Sequence, residues 1–289
     1  MVANNRLLYF DNLRALCVIQ VVFCHSIMGY MFPPSFIVPA TDIIGSDFWE
    51  YFLVLTKIYC VEIFFFISGY FLCGEVSRKS IQQIIIGKFY RLAVPSIISQ
   101  IILLLFFFNT MPVTWYMEVL FLFTLLMMPI QYVYQSFTFK LNMTLINLVL
   151  VALFVGVLTF CVKLRYPLYY AKCYLFLHFE PSEMIKNFVM FYLGALAYRN
   201  NWLEKISDNL AKCICGVGVI LCVIGFVKQE WIFDIMYKNN FGYTLLDCLQ
   251  CFFVGFSFIL LSKKFMNRTN KFLSFLCDQS VGVYLLHDI

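Results

Sequence analysis

The chain has 289 residues, 62% of them hydrophobic and only 13% charged, with a mean hydropathy of +0.84. That composition excludes a soluble globular protein. The net charge of +5 sits mainly on Lys and Arg in short loops, where the positive-inside rule expects it, so neither nucleic acid nor any acidic partner is implied.

Apolar runs at 51–73, 84–109, 115–134, 143–162, 213–227 and 243–262 are mostly long enough to cross a hydrocarbon core of ~30 Å. A porin-like barrel would show short alternating segments instead. The expected fold is an all-α polytopic transmembrane bundle of about nine or ten spans. Residues 1–289 read as one membrane domain, because no soluble-length polar stretch, low-complexity linker or internal repeat divides them. Most of the 12 cysteines, among them Cys17, Cys24, Cys60, Cys222 and Cys251, fall inside apolar runs as small hydrophobes. Cys213 and Cys215 lack the spacing of a zinc or redox pair, and no metal is expected.

The first span begins DNLRALCVIQVVFCHS at Asp11, too long and too polar for a cleavable leader. Arg14 and His25 are 11 residues apart, almost three whole turns, so they share one stripe of the helix. Asp11, one turn before Arg14, can pair with it. An arginine near a helix end can be a simple topology anchor, but a histidine well inside a span is a candidate for chemistry. Arg6 precedes this span, whereas the loop 32–50 carries Asp42, Asp47 and Glu50 with no Lys or Arg, so the N-terminus is expected to be cytoplasmic.

The second span ends in VEIFFFISGYFL, with Glu62 as a buried carboxylate and Ser68-Gly69 as a place where a backbone or ligand can come close. Arg78, Lys79 and Lys88 follow. The third span opens KFYRLAVP, in which Lys88 and Arg91 are expected on one face as a clamp for a polyphosphate, with Pro95 kinking the helix beyond. After a short turn, 109–114, comes WYMEVLF. Trp115 suits a membrane interface, and Glu118 is a second buried carboxylate.

The stretch 168–179 poses a topology question. If it crosses the membrane, Arg199, Lys205 and Lys212 fall outside, against the charge rule; if it is re-entrant or interfacial, they fall inside. Charge favours the second. The chain then runs through a basic loop, Lys263 to Lys271, into SVGVYLLHDI, only some ten residues of a new span, about half the ~20 needed. The C-terminal end is expected to be incomplete.

Taken together these segments resemble the acyltransferase 3 family of integral membrane acyltransferases, which includes O-acetyltransferases of bacterial surface polysaccharides. The resemblance rests on Asp11, Arg14 and His25, on EIFFFISGYFL from Glu62, on KFYRLAVP from Lys88, on WYM from Trp115, and on VYLLH ending at His287, all in the family's order. The chain departs from it in a sparser basic motif before Arg91 and in Glu62 where Asp is common.

The resemblance implies an integral protein of the bacterial inner membrane that moves an acyl group, most often acetyl, from cytoplasmic acyl-CoA to a hydroxyl of a cell-surface or lipid-linked glycan. Arg14, Lys88 and Arg91 would bind the CoA phosphates. His25 would be the general base, or the acyl carrier in a two-step variant, with Glu62 or Glu118 orienting its ring. Ser68, Tyr70 and Trp115 would meet substrate. A proton-coupled or small-molecule transporter is the rival reading; it predicts broken helices in two repeats, and the sequence has none.

Overall fold

The computed structural model describes residues 7–31, 47–106, 115–134, 142–166, 172–174, 177–228 and 240–286. Most of the loop after the first span, the turn 109–114 and His287 lie outside the described residues.

Apolar residues fill the helices in chain order: α1 (Leu8–Met31), α2 (Asp47–Val76), α3 (Ile81–Lys88), a π-helical turn (Phe89–Ala93), α4 (Val94–Phe106), α5 (Trp115–Tyr134) and α6 (Leu145–Arg165). Two short strands follow, β1 (Lys172–Tyr174) and β2 (Leu177–Phe179), then α7 (Pro181–Asn200), α8 (Trp202–Lys205), α9 (Asp208–Val227), α10 (Phe241–Phe265) and α11 (Lys271–Leu286). Polar side chains mark the helix starts. Ser80 and Gln83 form a capping box at α3, and Thr144, Ser207 and Asn240 each accept a backbone N–H at the starts of α6, α9 and α10.

Among the described residues six helices have the length and hydropathy to cross a membrane. α7 is 20 residues long but falls outside that set, since it carries Glu183, Lys186 and Arg199. The architecture is an all-α polytopic membrane bundle.

The helix directions follow from paired contacts. α1 runs antiparallel to α2: Phe10 meets Phe71 near one end, and Gln20 donates to the Tyr59 hydroxyl further along. α7 runs parallel to α2, with Lys57 beside Glu180, Glu62 beside Lys186 and Gly74 against Tyr198. The two helices touch backbone to backbone. A Cβ on Gly69 would meet the Phe191 carbonyl at 1.9 Å, and one on Gly194 would meet the Phe66 carbonyl at 1.9 Å. Close approach at Gly69 was expected from its sequence; the surface that uses it is α7.

The described strands before α7 are too short to span a membrane. Lys172–Tyr174 and Leu177–Phe179 pair as an antiparallel ribbon, whose three-residue strands reach only about 10 Å and cannot cross a core of ~30 Å. Because α7 runs parallel to α2, Arg199 emerges at the same end as Arg78 and Lys79. Lys263 reaches Glu204 and the Leu203 carbonyl there, and Asn12 of α1 donates to the Met266 and Arg268 carbonyls. One end of the bundle thus gathers most of its basic residues. α10 lies at the centre, against α1, α2, α6 and α9, and is buried along most of its length.

Candidate active site

The basic end of the bundle brings together residues from α1, α2, α3 and the π turn, with α5 beside them. α1 contributes Arg14, whose guanidinium lies 3.8 Å from Asp11 Oδ1 and 4.9 Å over the centre of the Phe71 ring on α2. Its side chain is one-third exposed. On the same stripe Val18 is buried, Val21 packs against the core and His25 is partly buried, whereas Ile19 and Phe23 are exposed. The stripe that carries the arginine and histidine is therefore turned from the most exposed face of α1.

Lys88 ends α3. Its ammonium is 3.5 Å from Glu75 Oε2 at the end of α2 and lies within electrostatic reach of both Arg14 and Arg91. Three cations from two chain segments thus act on one volume. Arg91 sits in the π turn, where the Val94 N–H bonds back to the Phe89 carbonyl. The cause is next in the sequence: Pro95 has no N–H to give the carbonyl four residues earlier, that of Arg91, and the widened turn absorbs the mismatch. The π turn also alters the expected geometry. With more residues per turn each residue rotates less, so Arg91 lags behind its α-helical position and the angle between it and Lys88 widens, with Lys88 half-buried and Arg91 exposed.

α5 closes the volume. The Tyr116 hydroxyl shares a 3.1 Å hydrogen bond with Ser68 Oγ and lies within electrostatic reach of Arg14. Tyr284 of α11 meets the Tyr116 ring. Glu118, one turn on from Trp115, accepts hydrogen bonds from Ser96 Oγ at 2.8 Å and from Gln100 on α4. Trp115 itself is partly buried against the core. Tyr70 packs edge-on to Phe10, Phe71 and Tyr198, one residue from the Gly69 crossing.

A family model described as an acyltransferase domain, that of the acyltransferase 3 family, matches residues 7–108 and 99–289. The chain belongs to the acyltransferase 3 family. Six apolar spans and this membership make it an integral membrane acyltransferase. No curated protein and no solved structure matches the chain.

Within this acyltransferase, the sequence-derived residues divide between two places. Arg14, Lys88, Arg91 and Ser68 lie toward the basic end, joined by Tyr116, which the sequence reading passed over as part of an aromatic motif, and Glu118 is bonded to Ser96 and Gln100 of α4. Glu62 stands elsewhere. Its Oε1 lies 3.6 Å from Lys186 Nζ on α7, and that ammonium also contacts Glu183 Oε2 at 2.7 Å and Asp247 Oδ2 at 3.0 Å. The sequence reading offers Glu62 or Glu118 to orient His25; in the structure the Glu62 carboxyl meets Lys186 in a cluster shared by α2, α7 and α10. Lys186 and Asp247 were legible in principle, as lone charges inside apolar stretches.

Proposed function

We propose that the protein transfers an acyl group, most simply acetyl, from cytoplasmic acyl-CoA to a hydroxyl of a cell-surface or lipid-linked glycan, in the inner membrane of a bacterium. What supports this reading is that Lys88, at the basic end of a membrane acyltransferase, lies within electrostatic reach of both Arg14 and Arg91. By the positive-inside rule that end faces the cytoplasm, the compartment that holds acyl-CoA. Three cations suit a nucleotide 3′-phosphate and diphosphate better than any uncharged donor.

The chemistry is assigned to His25. Eleven residues along the stripe from Arg14, roughly 16 Å at 1.5 Å per residue, its imidazole stands where an extended pantetheine arm brings the thioester. His25 takes the proton of the acceptor hydroxyl as the oxygen attacks the thioester carbonyl. The tetrahedral intermediate expels the CoA thiolate, which recovers that proton from the imidazolium, so no net proton is consumed. Glu118, held by Ser96 and Gln100, is the carboxylate assigned to bias the ring or the acceptor. Ser68, Tyr70 and Trp115 are assigned to the walls that meet substrate.

The test is acetyl transfer from labelled acetyl-CoA to envelope glycan in membranes of cells with the gene, without it, and with His25→Ala. Label that depends on the gene and on His25 supports the reading. Gene-independent label contradicts it.

A further inference from the structure

Halfway along α2, away from the cationic end, the bundle holds a cluster of charges that acyl transfer does not use. Lys186 and Glu62 are each only 2% exposed, and Asp247 only slightly more. Lys186 Nζ contacts Glu183 at 2.7 Å, Asp247 at 3.0 Å and Glu62 at 3.6 Å, so one ammonium faces three carboxyl groups from α2, α7 and α10. α6 supplies a second cation, Lys163, buried 5.7 Å over the Tyr243 ring and within electrostatic reach of Glu183. At the rim, Lys57 is half-exposed and lies 3.6 Å from a fourth carboxylate, Glu180, besides acting on Glu183. The buried thiols of Cys60, Cys248 and Cys251 also stand nearby, with the Tyr243 hydroxyl.

Three inner carboxyl groups against two inner ammonium groups leave one negative charge without a counterion, and an uncompensated buried charge is far more costly than a neutral acid. We infer that the cluster is a proton-binding site and that Glu62 holds the proton.

The geometry selects Glu62 among the three. Glu183 and Asp247 lie at charge-assisted hydrogen-bond distance from the ammonium. Glu62 lies beyond it, and its Oε2 is buried with no hydrogen-bond partner among the described residues. Two more buried hydroxyls without such partners, Ser182 and Thr159, stand one turn before Lys186 and Lys163, so polar atoms line the same joint. Neutral Glu62 lets α2, α7 and α10 close on one another. Its loss of the proton at alkaline pH strands a charge at the middle of α2.

The test is infrared spectroscopy of the purified full chain, read at the carbonyl stretch of a protonated carboxyl group at neutral pH. The parent should show this band and Glu62→Gln should lose it. Asp247→Asn should lose it too, although Glu62 is intact, because two carboxylates then face two ammonium groups. Lys163→Met should about double it, since a second proton is then needed. No band in the parent overturns the inference, as does a band that survives in Glu62→Gln or in Asp247→Asn. Because the readout is independent of acyl transfer, its failure leaves the catalytic reading untouched.

Discussion

Gly69 of α2 and Gly194 of α7 lie at one helix crossing, each held against the backbone of the other's helix. A methyl group at either position meets a carbonyl oxygen at 1.9 Å, which neither helix can move away cheaply. Gly194→Ala should therefore destabilise the protein by about 1–3 kcal/mol, seen as a lower unfolding temperature in detergent. Gly216 on α9, where nothing lies within 4 Å, is the control, and its alanine variant should be as stable as the parent or more stable by up to about 1 kcal/mol. Equal behaviour of the two variants would deny the close crossing.

The Ser68–Tyr116 hydrogen bond ties α2 to α5 beside Arg14. Tyr116→Phe and Ser68→Ala should each cost about 0.5–1.5 kcal/mol, and the double variant no more than the larger single loss plus a few tenths. Full additivity in that cycle would mean that the two groups do not interact.

Lys186 is the hub on which α2, α7 and α10 meet. Lys186→Met keeps the length of the side chain and leaves three buried carboxyl groups without their cation, so a loss of about 3–5 kcal/mol is expected in chemical denaturation. A loss under about 1 kcal/mol would show that protonation of the carboxyls replaces the lysine at little cost.

The sequence made several of these features legible and hid others for definable reasons. Long apolar runs marked α2, α6, α9 and α10, and the 11-residue spacing placed Arg14 and His25 on one stripe, because periodicity within a helix is a local property. α7 was the hardest helix to see, since Glu183, Lys186 and Arg199 dilute its hydropathy and its partners come from α2 and α10, remote in the chain. For the same reason the sequence offered Glu62 or Glu118 for His25 without showing the Lys186 beside Glu62. The π turn at Phe89–Ala93 changes the phase between Lys88 and Arg91, and residue counting at α-helical spacing could not include it. Within 168–179, which charge favoured as a segment that does not cross, the described residues form two paired three-residue strands.

If His25 is the general base, His25→Ala should lower the rate of acyl transfer by about 10²- to 10⁴-fold while membrane insertion and unfolding temperature stay near those of the parent. Arg14→Lys keeps the charge but loses the planar fork, and should raise the apparent KM for acetyl-CoA more than it lowers kcat. A His25→Ala variant within about threefold of the parent would remove His25 from the mechanism.

The central claim is that the cations gathered around Lys88 hold the donor. Equilibrium titration of acetyl-CoA into the detergent-solubilised parent, and into Lys88→Ala and Arg91→Ala proteins of matched unfolding temperature, tests it most directly. Saturable binding to the parent and a loss of about 1.5–3 kcal/mol for each variant, roughly ten- to a hundredfold in Kd, are expected. No binding to the parent, or equal affinity in all three proteins, would contradict it.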